Sequence, residues 1–342
     1  MVELTDHQRA RAQVLRYFAR DGGPLAPTAP TATTHNPAWF RPSLGRRLRP
    51  TPERLALHDD LLEAFYTKMG HGDIGNRAIM LAGPPGAGKG TIRAHITQET
   101  GQRFAIADPD EFKELLIEDA ARRGWLDELI PDEAREAGFT LAPMELSALV
   151  HEESSHLARR VRTAAINQGA NVVVDSVMAR ELPALQQARA LESHGYAIEV
   201  VSVQVPQELS QARVLQRWAQ QSTEPLGGRW VPSEFREDVF AGDHQATSWP
   251  DRNARTVAEQ VNAVERYRRY FTTMEMAAAA QPARLTHDLR RGADGRMHRQ
   301  TQPASHNPAF PLPPNPHHAP NVSPSRRPPS PEPPTRGHDR GR

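Results

Sequence analysis

The chain has 342 residues, 38% hydrophobic and 24% charged, with a formal net charge of +1. That length allows one large domain or two small ones, and the near-zero net charge argues against a general polyanion binder, so no nucleic-acid partner is expected. No run approaches the ~18 apolar residues of a membrane span, the N-terminus lacks a signal-type apolar core, and the absence of cysteine excludes disulfides and fits a cytoplasmic protein.

Taken in chain order, the pattern predicts a helix over Thr5–Arg20. Seven of the 31 prolines then fall between Pro24 and Pro52, which predicts a flexible or extended segment, and a second helix is expected over Thr51–Met69. Apolar runs read as strands at Ala78–Ala82, Phe104–Ala107, Asn171–Asp175 and Ala197–Val205. Helical patterns lie between them at Lys89–Thr100, Asp110–Arg122, Met144–Gln168, Ala179–His194 and Pro206–Gln221. Within the long one, Leu146, Leu149, Val150, Leu157, Val161 and Ala165 recur at spacings near 3 and 4 and form one buried face. A helix from about Asp251 to Ala280 is expected to close the domain. Thirteen more prolines fall in 301–342, a tail with almost no large apolar residues, which reads as disordered. HNPAWF at 35–40 and HNPAF at 306–310 echo each other, and coincidence explains the pair more simply than a docking motif.

Alternation of apolar strands with helices predicts an α/β fold: a parallel sheet with helices on both faces, flanked by an N-terminal helical region and a disordered C-terminal tail. The expected divisions are a helix and proline-rich flexible segment (1–50), a helix packing on the core (51–75), a catalytic domain (76–280), and a linker with tail (281–342).

Gly83, Pro84, Pro85, Gly86, Ala87, Gly88, Lys89, Gly90 and Thr91 read GPPGAGKGT, directly after an apolar strand and before an amphipathic helix. That is the context of a phosphate-binding P-loop. Glycines let backbone N–H groups wrap a triphosphate, the following helix turns its positive end to the phosphates, and Lys89 can reach the β and γ oxygens. ATP with Mg²⁺ is therefore the expected cofactor pair. Only Lys68, Lys89 and Lys113 are lysine among 42 basic residues, so lysine at 89 is a selective choice of a point charge over a fork. Gly90 stands where the usual motif has Ser or Thr, so the hydroxyl near Mg²⁺ would have to come from Thr91. The loop itself resembles that of adenylate kinases, but a TGD-like motif and a separate lid insertion are missing.

Asp108 and Asp110 follow the strand FAIA and open a helix, on the next strand–helix junction after the loop. One can cap the helix. Asp110, 21 residues past Lys89, can face the γ-phosphate and accept the proton of an attacking hydroxyl. IADPDEFKELL here resembles the zeta toxins of bacterial toxin–antitoxin systems, and the resemblance continues through NVVVDSVMAR and LQRWAQQSTEPLGGRWVPSEF, spanning roughly Arg77 to Phe240. It implies a P-loop kinase that phosphorylates a sugar hydroxyl of UDP-N-acetylglucosamine and a neutralising antitoxin as partner. It places Asp110 on the catalytic base, Lys89 on the loop lysine, and Arg217 and Arg229 on two arginines that close over the phosphates. Asp175 falls where the family has a substrate-contacting glutamate, with Ser176, Arg180 and Lys113 grouped with it as acceptor-binding; Asp175 reads equally as a Mg²⁺ carboxylate beside Thr91. The turn departs from the family: Ser176–Val177–Met178 lacks its Gly/Thr pair, and Arg180 is one place off its arginine. A kinase of another small acceptor (antibiotic, sugar or nucleotide) and a nucleotide-dependent binding module stay open as alternatives.

Overall fold

The computed structural model describes residues 4–42, 48–232, 238–240 and 248–300. Its centre is a seven-stranded sheet in the order β4-β5-β3-β6-β7-β8-β9. The strands are β3 (Arg77–Ala82), β4 (Ala105–Ala107), β5 (Val172–Asp175), β6 (Ala197–Gln204), β7 (Val264–Phe271), β8 (Arg284–Arg291) and β9 (Met297–Arg299); a separate hairpin pairs β1 (Phe40–Pro42) with β2 (Leu48–Pro50). The first five of the sheet order run parallel, and β8 and β9 add antiparallel. Val172, Val173, Val200, Val201 and Val203 are fully buried, as strands covered on both faces require. Because β5 lies between β4 and β3, the carboxyl ends of all three open side by side, which is where such sheets bind ligands.

Crossover helices have sequence-written ends. α2 (Pro52–Met69) starts on a Thr51 cap with Pro52 at the first position, and α4 (Pro109–Arg123) on an Asp108 cap with Pro109. α3 (Lys89–Thr100), α4 and α7 (His151–Gln168) end on left-handed Gly101, Gly124 and Gly169. α8 (Glu181–Ser193), α9 (Gln207–Gln221) and α10 (Trp249–Gln260) complete the cover. The expected helix from Met144 begins instead as a 3₁₀ turn, Pro143–Leu146, and the α-helix starts at His151. Its apolar face is nonetheless buried throughout, Leu146 to Ala165.

Two expectations are corrected. The proline-rich segment after α1 (Asp6–Phe18) is packed, not flexible: Leu25, Ala26, Ala29, Ala32, Trp39 and Phe40 are buried. Backbone N–H groups of Gly23, Ala26, Ala29, Ala32 and His35 donate three residues back, making a string of turns with period three. Pro24, Pro27 and Pro30 each occupy the second position of a turn, which their fixed φ suits, and every third residue, Ala26, Ala29 and Ala32, is a buried alanine. The helix expected to Ala280 stops at Gln260, and the sheet runs on to Arg299 through residues assigned to a linker. VERYRRYF conceals a strand because its arginines are neutralised in the fold: Arg266 by Asp288, Arg268 by Glu99 and Glu199, Arg269 by Asp251. The tail from 301, including HNPAF, lies outside the described residues.

The N-terminal elements share the main core. Arg54 grips buried Glu153 on α7 with both ends of its fork (2.6 and 2.8 Å), and His58 shares the same carboxylate at 2.7 Å. Desolvation pushes Glu153 up, but His58 and Arg54 hold it at about 2.

Candidate active site

The loop after β3 folds as its glycines require. A Cβ on Gly83 would lie 2.2 Å from the Val203 carbonyl, and one on Gly86 2.8 Å from that of Ser210, both at positive φ. Lys89, the first residue of α3, donates back across the loop to the Gly83 carbonyl at 3.1 Å. Gly90 differs: it has ordinary helical backbone and open space around its would-be Cβ. Thr91 is exposed and two positions past Lys89, which turns it about 200° round the helix from the lysine. Its hydroxyl therefore leaves α3 from the side opposite the lysine's Cα. Arg93, at plus four, returns to the lysine's face.

Arg93 joins the two neighbouring strand ends. Its guanidinium is 3.2 Å from Asp108 and 3.5 Å from Asp175. Asp108 also accepts from the Asp110 backbone N–H at 2.9 Å, so it is the cap. Burial first, then Asp175 and Asp110, push its carboxyl up to about 7. Asp175 is likewise raised by burial, with Lys89 and Arg93 opposing.

Asp110 is the accessible carboxylate, 46% exposed in the first turn of α4, while its partners Lys113 and Arg229 are 15% and 13% exposed. Arg229 lies 2.6 Å and Lys113 3.1 Å from the same oxygen, Oδ1. Among the described residues no side chain donates to Oδ2. Surrounding protein desolvates Asp110 and pushes it up, but Arg229 and Lys113 outweigh this and hold it well below the usual carboxylate range. Lys113 thus contacts Asp110. Arg217 is exposed on α9, within electrostatic reach of Arg229, Asp110 and Glu114; desolvation and then Arg229 bring it to about 10, so it stays charged at neutral pH. Ser176 donates to the Leu81 carbonyl at 3.3 Å, and Arg180 is exposed at the start of α8.

Four residues at the cleft were not singled out from the sequence as site residues. Arg93 and Arg213 carried a legible signal, one turn from Lys89 and from Arg217 on the same helix faces. Arg213 donates to the Gly86 carbonyl at 3.3 Å, and Ser210 to that of Pro85 at 2.7 Å. His151, at the start of α7, faces Lys113 and Asp110; desolvation and then Lys113 depress it to about 4, so it is neutral. Only the tertiary fold brings it here. Among the described residues no group of three or more acidic or histidine side chains forms a metal cluster, and no helix is long and apolar enough to cross a membrane.

A solved AvrRxo1-ORF1:-ORF2 complex with ATP is 20% identical, with 73% of this chain and 70% of that one covered and a TM-score of 0.48. The PezAT chromosomal toxin–antitoxin system of Streptococcus pneumoniae gives 18%, 70%, 82% and 0.46. Toxin zeta of Streptococcus pyogenes is 23% identical over 163 residues, which are 47% of this chain and about half (51%) of that protein's length. The family model described as Zeta toxin matches residues 71–273, more than half of the chain, and the chain belongs to that family.

Proposed function

We propose that the protein is an ATP-dependent kinase that phosphorylates a hydroxyl of a small acceptor, UDP-N-acetylglucosamine foremost, and so acts as a toxin against the use of cell-wall precursors. The observation that carries this is Asp110: an open carboxylate on the strand–helix junction beside a P-loop, fixed through one oxygen by Lys113 and Arg229. Its depressed pKa keeps it ionised at neutral pH, and Oδ2 would accept the proton of the acceptor hydroxyl. A loose phosphoryl-transfer transition state needs little early proton removal, so orientation by a weak base is sufficient. Lys89, Arg217 and Arg229 would neutralise the transferring group, with Arg229 passing from Asp110 to the phosphoryl oxygens. Asp175, Ser176 and Arg180 would line the acceptor side.

Asp175 and Asp108 are hard oxygen donors that suit Mg²⁺. Bound there, the cation would neutralise charge on the β- and γ-phosphoryl oxygens. Family membership supports an antitoxin as protein partner, covering the nucleotide site. A second reading, another small acceptor on the same machinery, is favoured by the Ser176–Val177–Met178 turn, which departs from the family in the pocket that would meet the sugar.

The test is phosphate transfer from Mg–ATP, read by mass spectrometry, to UDP-N-acetylglucosamine and to a panel of aminoglycoside, chloramphenicol-like and nucleotide alcohols. Transfer to the UDP-sugar that disappears in Asp110→Ala is expected. Transfer only to another alcohol replaces the acceptor, and full activity in the variant removes Asp110 from the mechanism.

A further inference from the structure

The turn that leaves β5 holds a strained residue. Met178 has φ 57, a left-handed conformation that L side chains enter only under strain, and it is 5% exposed within the main core. Such a conformation persists only where the surroundings over-determine it. Three bonds do so here. Ser176 donates its hydroxyl to the Leu81 carbonyl on β3. The Gly83 N–H of the phosphate loop donates to the Val177 carbonyl at 3.3 Å. The third comes from 75 residues further along the chain: the Asn253 side-chain amide, on α10, donates to the Met178 carbonyl at 2.7 Å. Asn253 is itself only 3% exposed. Without it, that buried carbonyl would lose its partner, and the turn would be free to return Met178 to negative φ.

We propose that Asn253 is a positioning residue for the acceptor side: by holding the Met178 carbonyl it locks residues 176–180 against the phosphate loop, setting where Asp175 and Arg180 meet the acceptor. The acceptor half of this rests on the kinase reading above. The donor half has anchors besides its single bond to this turn: Lys89 donates to the Gly83 carbonyl within the loop, and Arg213 on α9 donates to that of Gly86.

The test uses the full chain with Asn253→Ala, the milder Asn253→Ser, Met178→Gly, and the Asn253→Ala/Met178→Gly pair. Read-outs are amide hydrogen exchange at 176–180, affinity for a fluorescent ATP analogue, and the KM for UDP-N-acetylglucosamine. Asn253→Ala is expected to speed exchange at 176–180 about tenfold and to raise the acceptor KM by a similar factor, the scale set by losing one buried hydrogen bond. Exchange in α3 and ATP affinity should hold within about twofold. Glycine adopts φ near 57 without a side-chain penalty, so the same Asn253 change should have a smaller effect in the Met178→Gly background. Exchange that rises evenly over the whole chain, an equal effect in both backgrounds, or an acceptor KM that does not move in an active enzyme each overturns the proposal. If exchange responds as expected but the parent transfers nothing to UDP-N-acetylglucosamine, the acceptor reading falls and the locking of the turn by Asn253 stands.

Discussion

The phosphate loop makes a prediction that separates its glycines. Gly83→Ala places a Cβ 2.2 Å from the Val203 carbonyl, against a practical minimum of 3.0 Å, so β6 or the loop must move by the 0.8 Å difference. The neighbour is backbone of a central strand and cannot swing aside, and Gly83 has φ 153 besides. Forced backbone shift and a glycine-only conformation together cost about 2–5 kcal/mol. Gly90→Ala meets nothing within 4 Å at helical φ. In a helix this exchange stabilises by about 0.5–1 kcal/mol. At about 2 °C per kcal/mol for a domain of this size, Gly83→Ala should melt about 4–10 °C below the parent and Gly90→Ala about 1–2 °C above it. Differential scanning calorimetry reads both, and binding of a fluorescent ATP analogue should weaken in Gly83→Ala alone. A Gly83→Ala protein that melts with the parent, or a Gly90→Ala protein that melts lower, would refute the steric argument.

Asp110→Asn keeps the shape and removes the base, so transfer should fall by about 10²–10⁴ with ATP affinity little changed; a loss below tenfold in steady-state assays assigns the proton elsewhere. Arg54→Met leaves Glu153 buried with His58 as its remaining partner, and breaking a buried pair from one side costs about 3–5 kcal/mol. Urea unfolding should show that loss, and an unchanged midpoint would mean that α2 is not part of the cooperative core. His151 and Asp108 should tilt the pH profile of stability in opposite directions. His151 is near 4 folded and 6.5 unfolded, so its contribution is complete above about 6.5 and lost as pH falls to 4. Asp108 is near 7 folded and 3.8 unfolded, so the folded state binds the extra proton and stability is lost as pH rises through that window. Melting temperatures from pH 4.5 to 7 should therefore rise less with pH in His151→Gln and more in Asp108→Asn than in the parent; tilts of the same sign would contradict the assignments.

Much of the architecture was legible because period and punctuation agree locally. The first four strands of the main sheet and the helices α3, α4, α8 and α9 fall within a few residues of the expected positions, since buried parallel strands read as continuous apolar runs and caps are written as Thr–Pro, Asp–Pro or a trailing glycine. β7 was not legible. Its arginines look solvated until Asp288, Glu199 and Asp251 arrive from distant segments to neutralise them. The proline-rich segment misled for a related reason: proline signals turns, but only burial of the alanine at every third residue shows that the turns pack.

By itself the sequence located the phosphate loop and the acidic strand–helix junction next to it. The loop glycines, Lys89 and the Asp108–Asp110 pair lie close along the chain, and the glycines and the Asp108 cap answer local backbone demands. The tertiary structure alone decided the rest. It brought Arg229 onto the oxygen of Asp110 that Lys113, one turn along the same helix, also holds, tied Asp108 to Asp175 through Arg93, and pinned the strained Met178 turn with Asn253. Those relations are set by the packing of elements far apart in sequence, and no local periodicity encodes them.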